Sequence, residues 1–467
     1  MTAIIMTKLG ENRGSPRIWL QGEKLEKEGY RAGDTFRIEE SKSSRLVLVK
    51  NGDRKVSGKK RGDKRIPIID LNTQQLAELF DADEKLKVAI RKGKIVITKH
   101  YTSGQVAERL ERIRAKVREG KKLAVHSHYH GAGVLDLAIH SGFAKAGVNT
   151  YCQVAIELDR EYLDISMQRN KHLFDDESIF IEGPIQDVRC DPRVKADIVL
   201  AGIPCTGASL AGRAKMRDTK GEKRTYHPEE HDGAGSLFFY TLRYIEVSQP
   251  GIVIIENVKA YASTASAAVI RSVLDSLGYR VQERVLGGNE FGALENRERL
   301  CLVGITKGLD DVIDIDDIVP TQQKPEKLSD VLEFIPEESP MWSEMEYLAK
   351  KEKRDAEKGN SFARQLFTGE EPKISTVTRQ YIKRRSTDPF IQSPWDPKKS
   401  RLLTRLEHCR VKGIPEHLVD DPDISETRAH EVLGQSIVFP MFEAVGYALG
   451  ASIQVAYGKE IPNPIAA

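Results

Sequence analysis

Three short stretches carry side chains that could make and break bonds together. Cys205 lies within residues 196–209, where the apolar run Ile198-Val199-Leu200 reads as a buried parallel strand ending in a turn rich in Gly and Pro. Ligands and chemistry in open α/β sheets sit outside the carboxyl ends of strands, so a thiol there is a candidate nucleophile. A lone Cys in a turn is more often a packed structural residue. Two further strand ends weigh against that here: one delivers Glu256, a carboxyl group that can hold or give a proton, and the other Arg297 and Arg299, two fixed positive charges.

These residues need a sheet to bring them together. A first strand from Lys122 to about His128 runs into His130-Gly131-Ala132-Gly133, a glycine-rich turn that allows close backbone approach ahead of a helix. The strand Tyr151 to Ile156 ends in Glu157, which follows Gly133 by 24 residues and is placed to accept hydrogen bonds from ribose hydroxyls. Strands alternating with helices imply an α/β fold. Ahead of it, Val106, Leu110, Ile113 and Val117 mark the packing face of an amphipathic helix from Thr102 to Glu119. Another helix is expected from Ser236 to Ser248.

Ile203-Pro204-Cys205-Thr206-Gly207-Ala208-Ser209 resembles the Pro-Cys motif of the cytosine-5 DNA methyltransferases, commonly P-P-C-Q-x-x-S. Ile254-Ile255-Glu256-Asn257-Val258 matches the family's Glu-Asn-Val motif, and Glu295 to Arg299 is similar to its Q-x-R-x-R motif, with Glu where Gln is usual. Leu402 to Glu407 with Gly413-Ile414-Pro415, and Leu433 to Val438, resemble its closing motifs. The cofactor loop departs most: Gly131 and Gly133 agree with D-L-F-x-G-x-G-G, but His126-Ser127-His128 replaces its opening.

The resemblance implies a Rossmann-like S-adenosylmethionine methyltransferase domain with a small target-recognition domain. It implies Cys205 as nucleophile toward carbon 6 of a flipped-out cytosine, Glu256 at ring nitrogen 3, and Arg297, two residues before a second catalytic arginine, Arg299, holding the base carbonyl and keeping the pocket positive, which lowers the thiol pKa. S-adenosylmethionine would lie against Gly131, Gly133, Glu157, Asp187, Pro204 and Ser436. Ser209, Asn257, Thr376 and Lys383 would face double-stranded DNA, and the basic stretch from Gly212 to Arg224 would close over it. The enzyme would act in the cytoplasm, as a monomer on DNA and away from membranes; whether a restriction endonuclease accompanies it is open. Three rivals remain: a transfer RNA cytosine-5 methyltransferase, a catalytically inactive DNA-binding regulator, and a generic Rossmann oxidoreductase that leaves the Cys, Glu and Arg blocks unexplained.

At 467 residues the chain is too long for one ordinary core. The expected divisions are a β-rich module over 1–100, a linker helix over 101–120, the catalytic domain over 121–308, a target-recognition region over 309–400 and a catalytic return over 401–467. With 72 Lys and Arg against 69 Asp and Glu, the net charge of +3 says little about partners. The five cysteines are widely spaced without a C-x-x-C pair, suggesting neither a disulfide framework nor a cysteine zinc site. His126, His128 and His130 alternate and would share one strand face, a possible metal arrangement outweighed by ordinary hydrogen bonding. His227 and His231 belong to a polar, solvated segment. No metal is expected.

The first hundred residues hold a faint repeat: the stretches starting at Arg17, Gly29 and Arg45 recur at Arg65, Leu79 and Lys94, each copy reading strand, short helix or turn, strand, tight turn, strand. Two such units can bury an apolar face only against each other. They resemble swapped-hairpin, antitoxin-like DNA-binding modules, with a plain β-barrel appendage as the alternative. Between the copies, Lys50 to Arg65 holds eight basic and two acidic residues, expected as a loop that adds salt-dependent affinity for nucleic acid.

Overall fold

Alternating β-branched residues, interrupted by Gly and Asp at matching places, fold the start of the chain into strands. The computed structural model describes residues 2–42, 45–205, 229, 231, 233–309, 314–359 and 362–457. It divides into two compact units, Met1–Glu108 and Arg109–Ala467.

In the first unit, β1 (Thr2–Lys8), β2 (Gly10–Asn12), β3 (Ser15–Gln21), α1 (Glu23–Lys27), β4 (Thr35–Lys42), β5 (Arg45–Lys50), β6 (Arg54–Lys55), β7 (Ser57–Arg61), β8 (Lys64–Asn72), β9 (Lys85–Arg91) and β10 (Lys94–Lys99) build two sheets. Their strand orders are β1-β9-β10-β5-β4-β6 and β2-β3-β8-β7. The repeat is visible in the register. Leu20 faces Ile69 and Val47 faces Val96, and in both antiparallel pairs the partners lie 49 residues apart. Pairing between equivalent positions sets a pseudo-two-fold axis through both sheets. The copies share one core, in which Leu20, Leu48 and Tyr30 of the first join Ile69, Ile97 and Phe80 of the second. The basic stretch between them is not the expected loop. Most of it is strand, because β6, β7 and the start of β8 pair with neighbours.

Helix α2 (Tyr101–Arg118) then leads into the second unit. Ile113 and Val117 are buried as its periodicity predicts, yet its polar side is anchored too. Arg112 Nε and Lys116 Nζ reach the buried Asp197 carboxylate at 2.9 and 2.5 Å, and Asp197 accepts the Ala124 amide at 2.8 Å. The foot of the strand that leads to Cys205 is thereby pinned.

That strand is β14 (Ile198–Gly202) of a seven-stranded sheet that also contains β11 (Leu123–His128), β12 (Thr150–Glu157), β13 (Ile179–Glu182), β15 (Ile252–Asn257), β16 (Tyr279–Gly287) and β18 (Glu298–Thr306), with β17 (Glu295–Asn296) just before β18. The order is β13-β12-β11-β14-β15-β18-β16, and β18 is antiparallel to both neighbours. Between β11 and β14 the order of winding reverses, the place where an open α/β sheet leaves a crevice at its carboxyl edge. One face carries α3 (Val134–Lys145) and α4 (Arg160–Arg169), and the other α5 (Leu237–Ser248) and α6 (Ala265–Ser276).

Within 309–400, α7 (Glu346–Glu357), β19 (Gln365–Phe367), β20 (Ile374–Ser375), β21 (Pro389–Gln392) and β22 (Ser400–Arg401) surround a separate apolar cluster that includes Leu348, Ile374, Tyr381 and Phe390. The chain returns through α8 (Arg405–Lys412), α9 (Glu426–Gln435) and α10 (Phe439–Ala456). Helix α10 crosses α3 where both lack side chains: a Cβ on Gly142 would stand 2.1 Å from the Glu443 carbonyl oxygen, and one on Gly446 2.5 Å from that of Ile139. Among the described residues no single helix is long and apolar enough to cross a membrane; the bent pair α9–α10 passes by length and composition, but α10 is mostly buried in the core.

Candidate active site

Strand register assembles the site. Gly202, three residues before Cys205, is paired with Glu256 on β15, and Glu256 is paired with Cys301 on β18. Side chains two apart on a strand share a face, so Arg299 lies diagonally from Glu256 and on its side of the sheet. Its Nε approaches Glu256 Oε1 at 2.9 Å, and both side chains remain 16% exposed. A Cβ built on Gly202 would stand 3.8 Å from Glu256 Oε2 and 3.9 Å from the Tyr129 carbonyl oxygen. The thiol turn, the carboxylate and the glycine-rich turn therefore meet across a residue with no side chain.

Arg297 is buried, with Nη1 donating to the Gly434 carbonyl at 3.2 Å and lying 3.7 Å from Glu295. Two expectations for this cluster need correction. The guanidinium groups do not lower the thiol pKa overall: burial, then the Glu256 charge, push Cys205 above the ordinary thiol value, and the opposing pull of Arg299 and Arg297 does not offset them. Asn257 is the second correction. One residue on from Glu256, it points to the other side of the strand, where it is buried; its Nδ2 donates to the Ile203 carbonyl at 3.0 Å and its Oδ1 accepts the Val258 amide at 2.9 Å. It clamps the turn that carries Cys205 and does not face DNA. Ser209, the segment Gly212 to Arg224, and His227 lie outside the described residues.

At the ends of β11 and β12 the glycine turn closes on an acid. Gly131 donates its amide to Glu157 Oε2 at 2.6 Å, while Glu157 Oε1 accepts the amides of Leu158 and Asp159. Gly133 is left-handed at φ 76°, and a Cβ there would strike Ser166 Oγ at 2.5 Å and both Asn170 Nδ2 and His130 Nε2 at 2.9 Å. Above Gly131, by contrast, a Cβ would meet nothing within 4 Å. Asn170, which caps the end of α4, donates to the Ala132 carbonyl at 3.1 Å and fixes the turn from behind. Asp187 is exposed at the end of a short 3-10 turn, and Pro204 is half-buried beside Cys205. Ser436 caps α9, its hydroxyl donating to the Val432 carbonyl at 2.5 Å. An acid bound to the turn's amide, open space above Gly131 and the exposed Asp187 carboxyl group fit a nucleoside cofactor.

The three alternating histidines do not converge. His126 Nδ1 is 3.1 Å from the Tyr244 hydroxyl and His128 packs edge-on against the Tyr244 ring. His130 turns the other way, with Nδ1 3.1 Å from Asp136 and Nε2 2.7 Å from Ser166 Oγ. Burial is the first cause that pushes His126 down to about 4 and His128 to about 3. Unfolded rings titrate near 6.5 and bind protons that the folded rings refuse, so the stability present above that pH is lost as pH falls toward 4, at roughly 1.4 kcal/mol per ring per pH unit. Among the described residues neither ring nitrogen of His128 has a hydrogen-bond partner. His128→Phe should therefore be close to neutral at pH 7.5 and gain about 1.4 kcal/mol relative to the parent at pH 5.5, as read by urea unfolding.

Sequence reasoning missed the surroundings of Glu295. Its Oε1 accepts the Val377 amide at 2.8 Å, and its Oε2 lies 2.6 Å from Lys412 Nζ, with neither side chain exposed. Burial drives the Lys412 amine down to about 7 despite this partner. A capping box fixes the start of α8: Thr404 Oγ1 accepts the Glu407 amide, and Glu407 accepts the Thr404 amide while receiving both Arg401 terminal nitrogens at 2.6 and 2.7 Å. That anchor delivers Lys412 to Glu295. Thr376, one residue before Val377, donates to the Asn296 carbonyl at 3.0 Å, and Lys383 is exposed on the next turn.

The family model for C-5 cytosine-specific DNA methylase matches residues 131–451, across the glycine turn, Cys205, Glu256, Arg299 and the closing helices. The chain belongs to that family. This methylase is similar to the Type II methyltransferase M.NlaX of Neisseria lactamica, 29% identical over 273 residues that make up 57% of this chain and 79% of that protein. M.Bsp6I of Bacillus sp. (strain RFL6) is 24% identical over 347 residues, 69% of this chain and 97% of that one. With M1.ScrFI of Lactococcus lactis subsp. cremoris, at 26% identity, the match spans 61% of the relative's length. Among solved structures, the S. pombe Dnmt2 methyltransferase superposes with a TM-score of 0.53 at 17% identity, covering 72% of this chain and 99% of that one. The Entamoeba histolytica methyltransferase EhMeth gives 0.52 at 15%, covering 70% and 98%. Those two likenesses show the shared α/β methyltransferase fold.

Proposed function

We propose that this protein methylates carbon 5 of a cytosine flipped out of double-stranded DNA, through a covalent adduct on Cys205. The observation that carries the reading is the Glu256–Arg299 pair, 2.9 Å apart and one strand from the turn holding the thiol. The thiolate adds to ring carbon 6, forming the S–C6 bond and making carbon 5 nucleophilic. Glu256 hydrogen-bonds or protonates ring nitrogen 3 as negative charge develops there. Arg299 holds the carboxylate in place and offers its remaining donors to the base carbonyl; Arg297, behind it, keeps the pocket positive. In the free protein burial first, and then the Glu256 charge, oppose thiolate formation.

S-adenosylmethionine, when bound, supplies an electrophilic methyl group. Gly131 and Gly133 would let it approach the backbone, Glu157 would take its ribose hydroxyls, Asp187 its adenine amino group, and Pro204 and Ser436 would border it. After transfer a base removes the carbon 5 proton and Cys205 departs. Thr376, Lys383 and the cluster within 309–400 would contact the duplex and select the site, and the antitoxin-like repeat would add a second DNA-binding module. A base buried in a duplex cannot reach such a pocket, so extrusion is required.

The test is transfer of label from tritiated S-adenosylmethionine, with duplex DNA and transfer RNA as separate acceptors, and bisulfite sequencing of the product. Label in cytosine of DNA supports the reading. Label confined to transfer RNA overturns it.

A further inference from the structure

We infer that the β7–β8 hairpin is a cationic arm that grips the sugar-phosphate backbone of duplex DNA without regard to sequence; this rests on the DNA reading above. Strands β7 and β8 are joined by the two residues Gly62-Asp63, and Lys59, Lys60, Arg61, Lys64 and Arg65 are all exposed around that tip. In the register, Lys60 faces Arg65 and Arg61 faces Lys64. Like charges directly opposite on neighbouring strands destabilise a hairpin, so folding alone disfavours this arrangement.

Some other cations of the unit are paired. Arg17 pairs with Asp70 at 2.8 Å, Lys50 with Asp34 at 3.0 Å, and Lys99 with Asp81 and Glu84 at 3.1 Å. Among the described residues no ion pair includes any of the five at the hairpin tip. Its base, meanwhile, is fixed. A Cβ on Gly58 would stand 2.6 Å from Ala32 Cβ and 2.8 Å from Arg65 Cγ, and Val56, Pro67 and Ile68 are buried. Charge left uncompensated on a rigidly rooted two-stranded ribbon suits a polyanion of matching width. A β-ribbon fits the major groove of B-form DNA, where lysines and arginines on its two faces reach phosphates on either side. Single-stranded nucleic acid is usually held by aromatic stacking platforms, and residues 57–66 contain no aromatic side chain.

The experiment uses the full chain carrying Lys59→Gln, Lys60→Gln, Arg61→Gln, Lys64→Gln and Arg65→Gln. Binding to a duplex of about 25 base pairs is measured from 50 to 200 mM salt, beside single-stranded RNA and thermal unfolding. The expected result is a loss of tenfold or more in duplex affinity near 0.1 M salt and a slope of log K against log salt shallower by about 3 to 4. The unfolding midpoint should be unchanged or raised, because repulsion is relieved. If the fivefold variant folds poorly, Lys60→Gln with Arg65→Gln should still flatten the slope by about 2. Wild-type affinity and slope in a folded variant overturn the arm, as does a loss confined to RNA. A parent chain that neither binds nor methylates duplex DNA instead overturns the function proposed above, so the two failures can be told apart.

Discussion

Cys205→Ser is expected to lower methyl transfer by at least about a thousandfold, equivalent to about 4 kcal/mol of barrier, while duplex affinity stays within a few-fold of the parent. An alcohol in that turn is far harder to ionise than a thiol and cannot add to carbon 6. Single-turnover kinetics and a binding titration read the two effects separately, and activity retained in the Ser variant would exclude the covalent route. A companion measurement uses Glu256→Gln. Burial first, and then the carboxylate charge, hold the Cys205 pKa up; removing the charge should speed iodoacetamide alkylation of Cys205 at neutral pH even as methyl transfer is lost. An alkylation rate that does not rise would show that Glu256 is not what restrains the thiol.

Breaking the Glu295–Lys412 pair should have the next largest effect. Both side chains are fully buried 2.6 Å apart, so Glu295→Gln leaves Lys412 without its counter-charge and Lys412→Met leaves an unpaired carboxylate. Each single change is expected to cost about 3 kcal/mol of stability, whereas the double change, neutral and still packed, should fall within about 1 kcal/mol of the parent. Chemical unfolding of the four proteins gives the coupling directly, and additive single effects would refute it. The pair also joins Val377 to β17, which runs directly into Arg297 and Arg299, so the single variants should lose kcat more than they raise KM for DNA.

Much of the catalytic unit was legible because its chemistry sits at strand ends, which apolar runs announce. Cys205 and Glu256 were singled out that way, and the register sets Glu256 one strand from the turn that carries Cys205. That Arg299 lies beside Glu256 needed the register of β18 against β15, a long-range pairing that no local pattern encodes. Asn257 could have been corrected from alternation alone, since a neighbour of Glu256 on a strand must point the other way. The partners of Arg112, Lys116 and Lys412 lie 81 or more residues distant in sequence or were hidden by their charge, which reads as solvated surface. Lys50 to Arg65 looked like a loop for a related reason: with nearly every tip residue charged, a strand shows no apolar alternation to betray it.

The matched halves of the amino-terminal unit have a consequence for stoichiometry. Two separate polypeptides related by a true dyad would present every appendage twice. Here both halves are covalently joined, and the only tether between them, after β5 and before the apolar part of β8, is where the charged ribbon protrudes. Tandem fusion thus yields a lopsided device with a single prong, one that engages a substrate from one direction and leaves the second half free to diverge.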